Sequence, residues 1–482
     1  MADIYRPSLR LRPSEQRFIL LLGDFVASVG AMFASLSIWR QYNQYVLFSQ
    51  GKTEAQIARF QLGIEVPVWF YILPLIWLLL LVESYEVHTA ASWRKTLRAI
   101  AAAPLLGLVG YSLLFIVNQE PTGALPRVAV GTFLVLASAL TLIWRGIYIR
   151  LYTSSGLMRR IMIIGAGRAG VSLAEIYNQM SPPPFLLLGF IDDDPAKRGK
   201  SVAGFAVLGS SKKLLGFIED YRISDIVVAI NGEIKGETFQ TILDAQERGV
   251  EVTRMPILYE EMLGRVPIEH LESDWVIRSF VDQVRTRGTY ELSKRLLDII
   301  GSIVGMVIFL VVFPFAALAI VLESGFPILY SQPRLGMGGS EFKIYKFRSM
   351  KQNAEADGHA KLASENDPRI TKVGNFMRRT RLDELPQFWS VLRGEMSLVG
   401  PRAERAELVQ SFQKQIPFYR ARLLVKPGLT GWAQINFGYA SNVKGTAIKL
   451  EYDLYYIKHR SLNMDFSIIL RTIGTVLRRT GV

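Results

Sequence analysis

Long apolar runs divide the chain before any motif is considered. Four lie in the first 150 residues: Phe18 to Trp39, broken only by Asp24, then Val66 to Val82, about Leu97 to Val117, and Val128 to Ile149. Each has roughly the length a helix needs to cross a hydrocarbon core of about 30 Å, so residues 1–150 are predicted to form a four-span helical bundle. The first run is too long for a signal peptide, and no small-residue cleavage site follows it. Asp24 inside a span marks either a functional site or a structural or snorkelling acid.

After residue 150 the period changes. Short apolar strands, RIMII, FLLLGFI, SDIVVAI and VEVTRMP, alternate with helical stretches such as VSLAEIYNQM. This alternation predicts a Rossmann-like α/β layer with a parallel sheet over residues 151–288. Its first strand runs into Gly165, Gly167 and Gly170, a G-x-G-x-x-G pattern between strand and helix, and Asp192 closes the second strand. Glycines there let a phosphate approach a helix N-terminus, and an acid there can accept ribose hydroxyls. These four residues are the candidate nucleotide ligands of the layer. A nucleotide-binding fold serving only regulation or assembly has the same pattern. The Tyr-x-x-x-Lys pair of dehydratases and epimerases occurs only at Tyr290 and Lys294, outside the layer.

The chain turns apolar again from Ile299 to Leu322, with Pro314 inside. Lys294 and Arg295 precede this run, and Arg334, Lys343, Lys346, Arg348 and Lys351 follow it. Cations on both sides place both flanks on one face of a membrane. A proline in a helix removes a hydrogen bond and bends or breaks it. The prediction is a re-entrant helix over 291–322 that enters one leaflet, turns at Pro314 and returns; a fifth span is the alternative. Near the C-terminus, Phe466, Ile469, Leu470, Ile473, Val476 and Leu477 share a helical face opposite Arg471, Arg478 and Arg479. Such a helix lies in a membrane interface, packs on its own core, or meets a second copy in a homodimer.

Composition sharpens this picture. The 482 residues carry a formal charge of +14, with a pI of about 9.7 and a mean hydropathy of +0.22. A basic chain with these apolar runs suits an anionic membrane face or a phosphorylated substrate, and nucleic acid is set aside. There is no cysteine, which excludes disulfides and thiolate metal sites, and His88, His270, His359 and His459 lack zinc spacing. Arg6, Arg10, Arg12 and Arg17 precede the first run, Arg94, Lys95 and Arg98 separate the second from the third, and Arg150, Arg159 and Arg160 follow the fourth. That asymmetry puts the N-terminus and everything after residue 150 in the cytoplasm.

Candidate chemistry concentrates between Arg378 and Arg402, in RRTRLDELPQFWSVLRGEMSLVGPR. Asp383 and Glu384 are adjacent, just ahead of Pro386, with Arg378, Arg379 and Arg381 before them and Arg393 and Arg402 after. Proline fits a first helical turn, so the acids are expected at a helix N-terminus. Acids among fixed cations suit chemistry on phosphate, with a carboxylate as nucleophile or metal ligand. A capped surface helix with ordinary ion pairs has the same composition.

The motifs KRLLD (294–298), YKFRSM (345–350), NDPRITKVG (366–374), RLDELPQ (381–387), GEMSLVGPR (394–402) and KPGLTGWAQIN (426–436) occur in this order. Together they resemble the bacterial sugar transferases, the monotopic polyprenyl-phosphate phosphoglycosyl transferases, over about residues 289–482. The resemblance implies a C-terminal catalytic domain, mainly α (α+β), over 289–482. In front of it the larger members of that family carry a transmembrane bundle and a nucleotide-binding-like domain. It implies that Asp383 is the nucleophile and Glu384 its partner, both near Mg²⁺. The expected reaction moves a sugar 1-phosphate from a UDP-sugar to undecaprenyl phosphate through a phosphosugar-aspartyl intermediate, at the cytoplasmic face of a bacterial inner membrane.

Arg402 matches the arginine of the family's Pro-Arg-Pro motif and is expected to bind phosphate. Ala403 replaces the second proline, which puts the rigidity of that turn in question. Arg348, Arg379, Arg381 and Lys426 are further phosphate candidates; Arg381 stands where many members have serine. Two rivals remain at this point, an NAD-dependent nucleotide-sugar dehydratase or epimerase and a nucleotide-sensing scaffold.

Overall fold

The computed structural model describes residues 13–57, 66–85, 93–117, 127–152, 158–271, 288–351, 367–438 and 442–477. Arg6, Arg10, Arg12, His88, His359, Arg478 and Arg479 fall outside them. The chain divides into two compact units, Met1–Met255 and Pro256–Val482.

In the first unit, the four N-terminal apolar runs become the helix Pro13–Ser49, the 3₁₀ turn Val68–Ile72 continued by the helix Leu73–Leu80, and the helices Trp93–Val117 and Arg127–Tyr152. Among the described residues, the first and last of these are long and apolar enough to cross a membrane, and Val68–Leu80 and Thr96–Ser112 are shorter apolar helices. The second run is shortened because Pro67 precedes its 3₁₀ turn and Pro74 opens the helix that follows. Phe70, Trp77, Ala103, Phe133 and Ala137 are buried where these helices pack. Gly23 permits a close crossing, since a Cβ there would lie 2.0 Å from the Trp144 ring. Asp24 is fully buried and paired with Arg145.

The rest of the first unit is a six-stranded sheet. Its strands are β1 (Arg160–Ile164), β2 (Leu186–Ile191), β3 (Ser201–Val202), β4 (Phe205–Gly209), β5 (Asp225–Val228) and β6 (Glu251–Arg254), in the order β3-β4-β2-β1-β5-β6. All pairings are parallel except β3 with β4, a hairpin edge absent from the sequence reading. Residues 161–164 of β1 and all of β5 are buried, as a sheet covered on both faces requires. The helices Arg168–Asn178, Leu214–Tyr221 and Gly236–Glu247 form the crossovers. Because β2 and β5 flank β1, strand order reverses beside β1, the position where open α/β sheets take ligands.

The second unit opens with the helix Met255–Leu263, although the sequence divides the domains at 288. Tyr259 donates to Glu451 (3.1 Å), Lys458 and His459 meet Glu260 (2.8 and 2.9 Å), and Val266 and Ile268 enter the main C-terminal core. Burial of Val266 and Ile268 in this core removes apolar surface from water, so the segment packs with this unit.

The 37-residue helix Gly288–Ser324 follows, and it too is long and apolar enough to cross a membrane. It stays helical through Pro314. Its first half is held by Tyr290 and Lys294 donating to Asp465 (2.9 and 3.0 Å), Arg295 donating to the carbonyls of Val391 and Leu392 (2.9 and 2.7 Å), and Asp298 accepting from Ser397 and Leu398 N–H (both 2.9 Å). Tyr290 and Lys294 thus have structural partners. The second half packs Phe309, Phe313, Ala316 and Ile320 around Phe347, Met377 and Leu385. Ile300, Val304, Val307, Val311, Phe315 and Leu322 line an exposed apolar face.

Two small sheets complete the unit: the hairpin β7 (Leu329–Leu335) and β8 (Glu341–Phe347), and the parallel pair β9 (Ser397–Val399) and β10 (Gly428–Thr430). The helix Val443–His459 crosses the core, and the helix Leu462–Leu477 ends the described chain. In the latter, Ile468 is buried and Ile469 packs on the core, while Phe466 and Ile473 are exposed.

Candidate active site

Each end of the acidic stretch is positioned by an identifiable contact. The helix Lys372–Arg379 is capped twice. Thr371 Oγ1 accepts from Gly374 N–H (2.9 Å), and the Glu323 carboxylate, at the end of the long apolar helix, accepts from Lys372 and Val373 N–H (2.7 and 2.8 Å). After this helix Arg381 takes φ +58°, a left-handed conformation uncommon outside glycine and often found at functional sites. It turns the chain into the 3₁₀ segment Leu382–Gln387, which contains both acids and Pro386. The sequence places the acids at an α-helix N-terminus. They lie instead in this tighter turn, and the α-helix Phe388–Arg393 starts after it, because Arg381 reverses the chain just ahead of them.

Arg402 arrives from another direction. It follows β9 and forms an isolated parallel bridge with Gly428, the first residue of β10. Gly400 and Gly428 are glycines because a Cβ on Gly428 would lie 2.0 Å from Gly400 N. The GEMSLVGPR and KPGLTG motifs are thus two strands in contact.

These elements bring three cations around one carboxylate. Glu384 Oε1 accepts from Lys346 Nζ on β8 and from Arg402 Nη2, both at 2.7 Å, and Arg381 Nη1 lies 3.9 Å from its other oxygen. Asp383 and Glu384 are only 6% and 7% exposed. The Asp383 carboxylate has no hydrogen-bond or ion-pair partner among the described residues. Burial and the neighbouring Glu384 charge push its pKa above the usual aspartate range, against the pull of Lys346, Arg378 and Arg381. Burial would raise Glu384 as well, but Arg402 and Lys346 hold it well below the usual range. Burial lowers the Lys346 ammonium, which Glu384 opposes. One acid is therefore held as an anion, and the other is a buried, more basic carboxylate left free.

The remaining phosphate candidates separate. Arg379 is exposed on its helix and Lys426 is half-buried beside β10. Arg348 does not join the cluster. Its Nη2 caps the long helix, donating to Ser324 O (2.7 Å), Ser324 Oγ (2.8 Å) and Gly325 O. Arg378 donates to Ser349 Oγ (2.9 Å). Sequence reasoning treated Lys346 only as a flanking charge and did not identify Glu323 at all. Lys346 lies inside YKFRSM, so the motif itself carried a signal for it.

The glycine loop lies in the other unit. Gly165 follows β1 with φ +105°, Gly167 caps the next helix, and a Cβ on Gly170 would lie 2.1 Å from Gly165 O. The Asp192 carboxylate is engaged internally. It accepts from Ala166 N–H (2.8 Å), Asp194 N–H (2.9 Å) and Lys197 (3.0 Å). Burial opposes their effect, yet these donors hold it below the usual range.

Comparison with known proteins follows the same division. Residues 289–479 match the family model described as "Bacterial sugar transferase", and residues 81–256 match one described as "CoA-binding domain". The chain is similar to the UDP-N-acetylgalactosamine-undecaprenyl-phosphate N-acetylgalactosaminephosphotransferase of Aeromonas hydrophila, 39% identical over 53% of this chain and 60% of that protein. Two proteins named UDP-glucose:undecaprenyl-phosphate glucose-1-phosphate transferase are also similar. The one from Klebsiella pneumoniae is 32% identical over 65% of this chain and 67% of its own length; that from Caulobacter vibrioides is 39% identical over 40% and 72%. Motif order, the acid pair with its two cations, and these matches together show that the chain belongs to the bacterial sugar transferase family, with a nucleotide-binding-like domain and long apolar helices ahead of its transferase domain.

Proposed function

We propose that this chain transfers a sugar 1-phosphate from a UDP-sugar to undecaprenyl phosphate, releasing UMP and giving undecaprenyl-diphosphate-sugar, the first membrane step of a surface polysaccharide. The observation that carries the reading is the asymmetry of the acid pair. Lys346 and Arg402 engage Glu384, and Asp383 keeps a buried, unengaged carboxylate. An Asp383 oxygen attacks the phosphorus bonded to the sugar, and the bond to UMP breaks with its electron pair leaving on UMP. An oxygen of undecaprenyl phosphate then attacks the same phosphorus and returns Asp383 as a carboxylate. Holding Glu384 as an anion keeps Asp383 basic, hence more nucleophilic. Arg402, with Arg381 and Arg379 nearer the surface, meets phosphate oxygens as charge develops on them. Lys426 is a further contact in this reading.

Mg²⁺ fits the donor set. No group of three or more His, Cys, Asp or Glu side chains able to hold a metal occurs among the described residues, and Mg²⁺ commonly uses one or two carboxylates with substrate phosphates and waters. Asp383, with Glu384 beside it, would hold the ion, which would neutralise diphosphate charge.

Membrane placement belongs to the same proposal. Residues 1–150 form four spans, the middle domain runs from 151 to 255, and the catalytic domain takes the chain from 256 on, with both latter parts on the cytoplasmic side. The helix Gly288–Ser324 is re-entrant. Supporting this, Asp298 near its start and Glu323 at its end both bond to residues of the same compact unit. Gly165, Gly167 and Gly170 receive a nucleotide phosphate in this reading, with Asp192 orienting the loop through Ala166.

The test incubates the purified chain with undecaprenyl phosphate, Mg²⁺ and radiolabelled UDP-glucose or UDP-N-acetylgalactosamine. UMP release and a labelled lipid are expected, both lost in Asp383→Asn. Full turnover by that variant would overturn the nucleophile assignment, and no UMP from any UDP-sugar would overturn the reading.

A further inference from the structure

The turn carrying Arg402 lacks the second proline of the family motif. Ala403 has no ring to fix φ, so something else must hold the Arg402 backbone if its guanidinium is to stay on Glu384. Besides the bridge to Gly428, one side chain among the described residues reaches that backbone. Arg422 Nη2 donates to the Arg402 carbonyl at 3.0 Å. The same guanidinium is anchored from behind. Nη2 also donates to Asp453 Oδ2 (2.9 Å), Nη1 donates to the Tyr419 hydroxyl (2.9 Å), and Nη1 lies 3.5 Å from Glu404 Oε1. Arg422 is 4% exposed and Asp453 1%. Glu404, two residues past Arg402, is tied to Lys449 at 2.9 Å and Arg334 at 3.7 Å. A buried guanidinium with donors fixed on Asp453, Tyr419 and Arg402 O has little freedom, and its planar fork passes that rigidity to the carbonyl it holds.

Resting on the reaction proposed above, we propose that Arg422 is a positioning residue for Arg402: it clamps the Arg402 carbonyl between Asp453 and the catalytic turn, keeping the Arg402 guanidinium on Glu384 and in reach of the transferring phosphoryl group. Among the described residues, the contacts of Arg422 are to Tyr419, Asp453, Glu404 and the Arg402 carbonyl, and none is to Asp383 or Glu384. Its effect passes through Arg402, which distinguishes it from a residue that only stabilises the core.

The experiment is a double-mutant cycle on the full chain in vesicles containing undecaprenyl phosphate, reading kcat/KM for UMP release. Arg422→Lys keeps the charge beside Asp453 and Glu404 but lacks the fork that also reaches the carbonyl. It is expected to lower kcat/KM about tenfold in the wild-type background and less than about twofold in Arg402→Ala, because residues acting as a unit are non-additive. An equal loss in both backgrounds would be the signature of general structural damage and overturns the proposal, as does activity within about twofold of wild type. Should Arg422→Lys fail to fold, Asp453→Asn keeps the guanidinium and weakens its anchor. It is expected to show a smaller loss that again vanishes in Arg402→Ala, and additivity there overturns the proposal equally. A wild-type chain that releases no UMP sinks the functional reading, and the inference with it. An active chain with additive losses sinks the inference alone.

Discussion

Among the buried clusters of acid and arginine in the described residues, two, one in each compact unit, differ in how charge is matched. Among the N-terminal helices, Asp24 Oδ2 accepts from Arg145 Nε (3.1 Å) and Nη2 (2.6 Å), and Arg145 also donates to the Ser84 carbonyl (3.0 Å) and hydroxyl (2.8 Å). The guanidinium carbon lies 5.0 Å from the Tyr85 ring centroid. One acid meets one base, and the pair ties Pro13–Ser49, Val82–Tyr85 and Arg127–Tyr152 together, although Asp24 Oδ1 has no hydrogen-bond partner. At the catalytic cluster two acids are adjacent, and both contacting cations bind the second of them. The first is left buried, repelled by its neighbour and attracted only at longer range. Matched charge holds helices; the proposed transfer uses the unmatched acid.

Asp383→Asn breaks the comparison most sharply. Turnover is expected to fall on the order of 10⁴-fold, since asparagine lacks the carboxylate of the proposed nucleophile, while thermal stability holds or rises because repulsion with Glu384 is relieved. A melting point lowered together with activity would make Asp383 structural. Arg145→Met should do the reverse. Stranding Asp24 costs about 3–5 kcal/mol of stability, and adding Asp24→Asn recovers part of it, because removing one partner of a buried pair is worse than removing both. Unfolding in detergent measures this, with UMP release per folded molecule expected unchanged.

Lys346→Met leaves Glu384 with Arg402 at hydrogen-bond distance and Arg381 at 3.9 Å. UMP formation is expected to drop about 10²-fold with KM for UDP-sugar changed less, in the range for loss of one preorganised electrostatic contact. An unchanged kcat would show that Arg402 alone suffices.

Glu451 is an intermediate case that sharpens the contrast. It lies under Tyr259 and 3.3 Å from Arg265, and burial pushes its carboxyl up to about 7 despite the arginine. The folded state therefore keeps the proton longer than the unfolded chain does. Stability from this group is present below the ordinary glutamate range and is lost as pH rises through about 7. The loss is about 2 kcal/mol between pH 5 and 7. Glu451→Gln should flatten the melting temperature over that window; an unaltered profile would mean that the arginine balances the charge after all.

Much of this was legible along the chain. The strands of the middle layer and its glycine loop announce themselves by short apolar runs and local spacing. The adjacency of Asp383 and Glu384 is covalent, so no fold was needed to see it. Arg348 misled because a cation in a family motif reads as a phosphate ligand, whereas its partners, Ser324 and Gly325, are backbone and hydroxyl oxygens that carry no signature in sequence. Residues 256–271 read as part of the middle layer because they follow β6 directly. Val266 and Ile268 in the C-terminal core, with Tyr259 and Glu260 bonded to the helix Val443–His459, assign them elsewhere.

The sequence by itself determined the elements and the reagents: where apolar runs begin and end, where glycine lets backbone approach backbone, and which two acids are neighbours. Those depend on local periodicity, sterics and covalent order. Only the tertiary structure decided which acid is free. Lys346 and Arg402 stand 38 and 18 residues from Glu384 along the chain, and nothing in their spacing says which carboxylate they will meet. Electrostatics depends on distance through space and on burial, and both are set by the packing of β8 and the β9–β10 turn around one 3₁₀ segment.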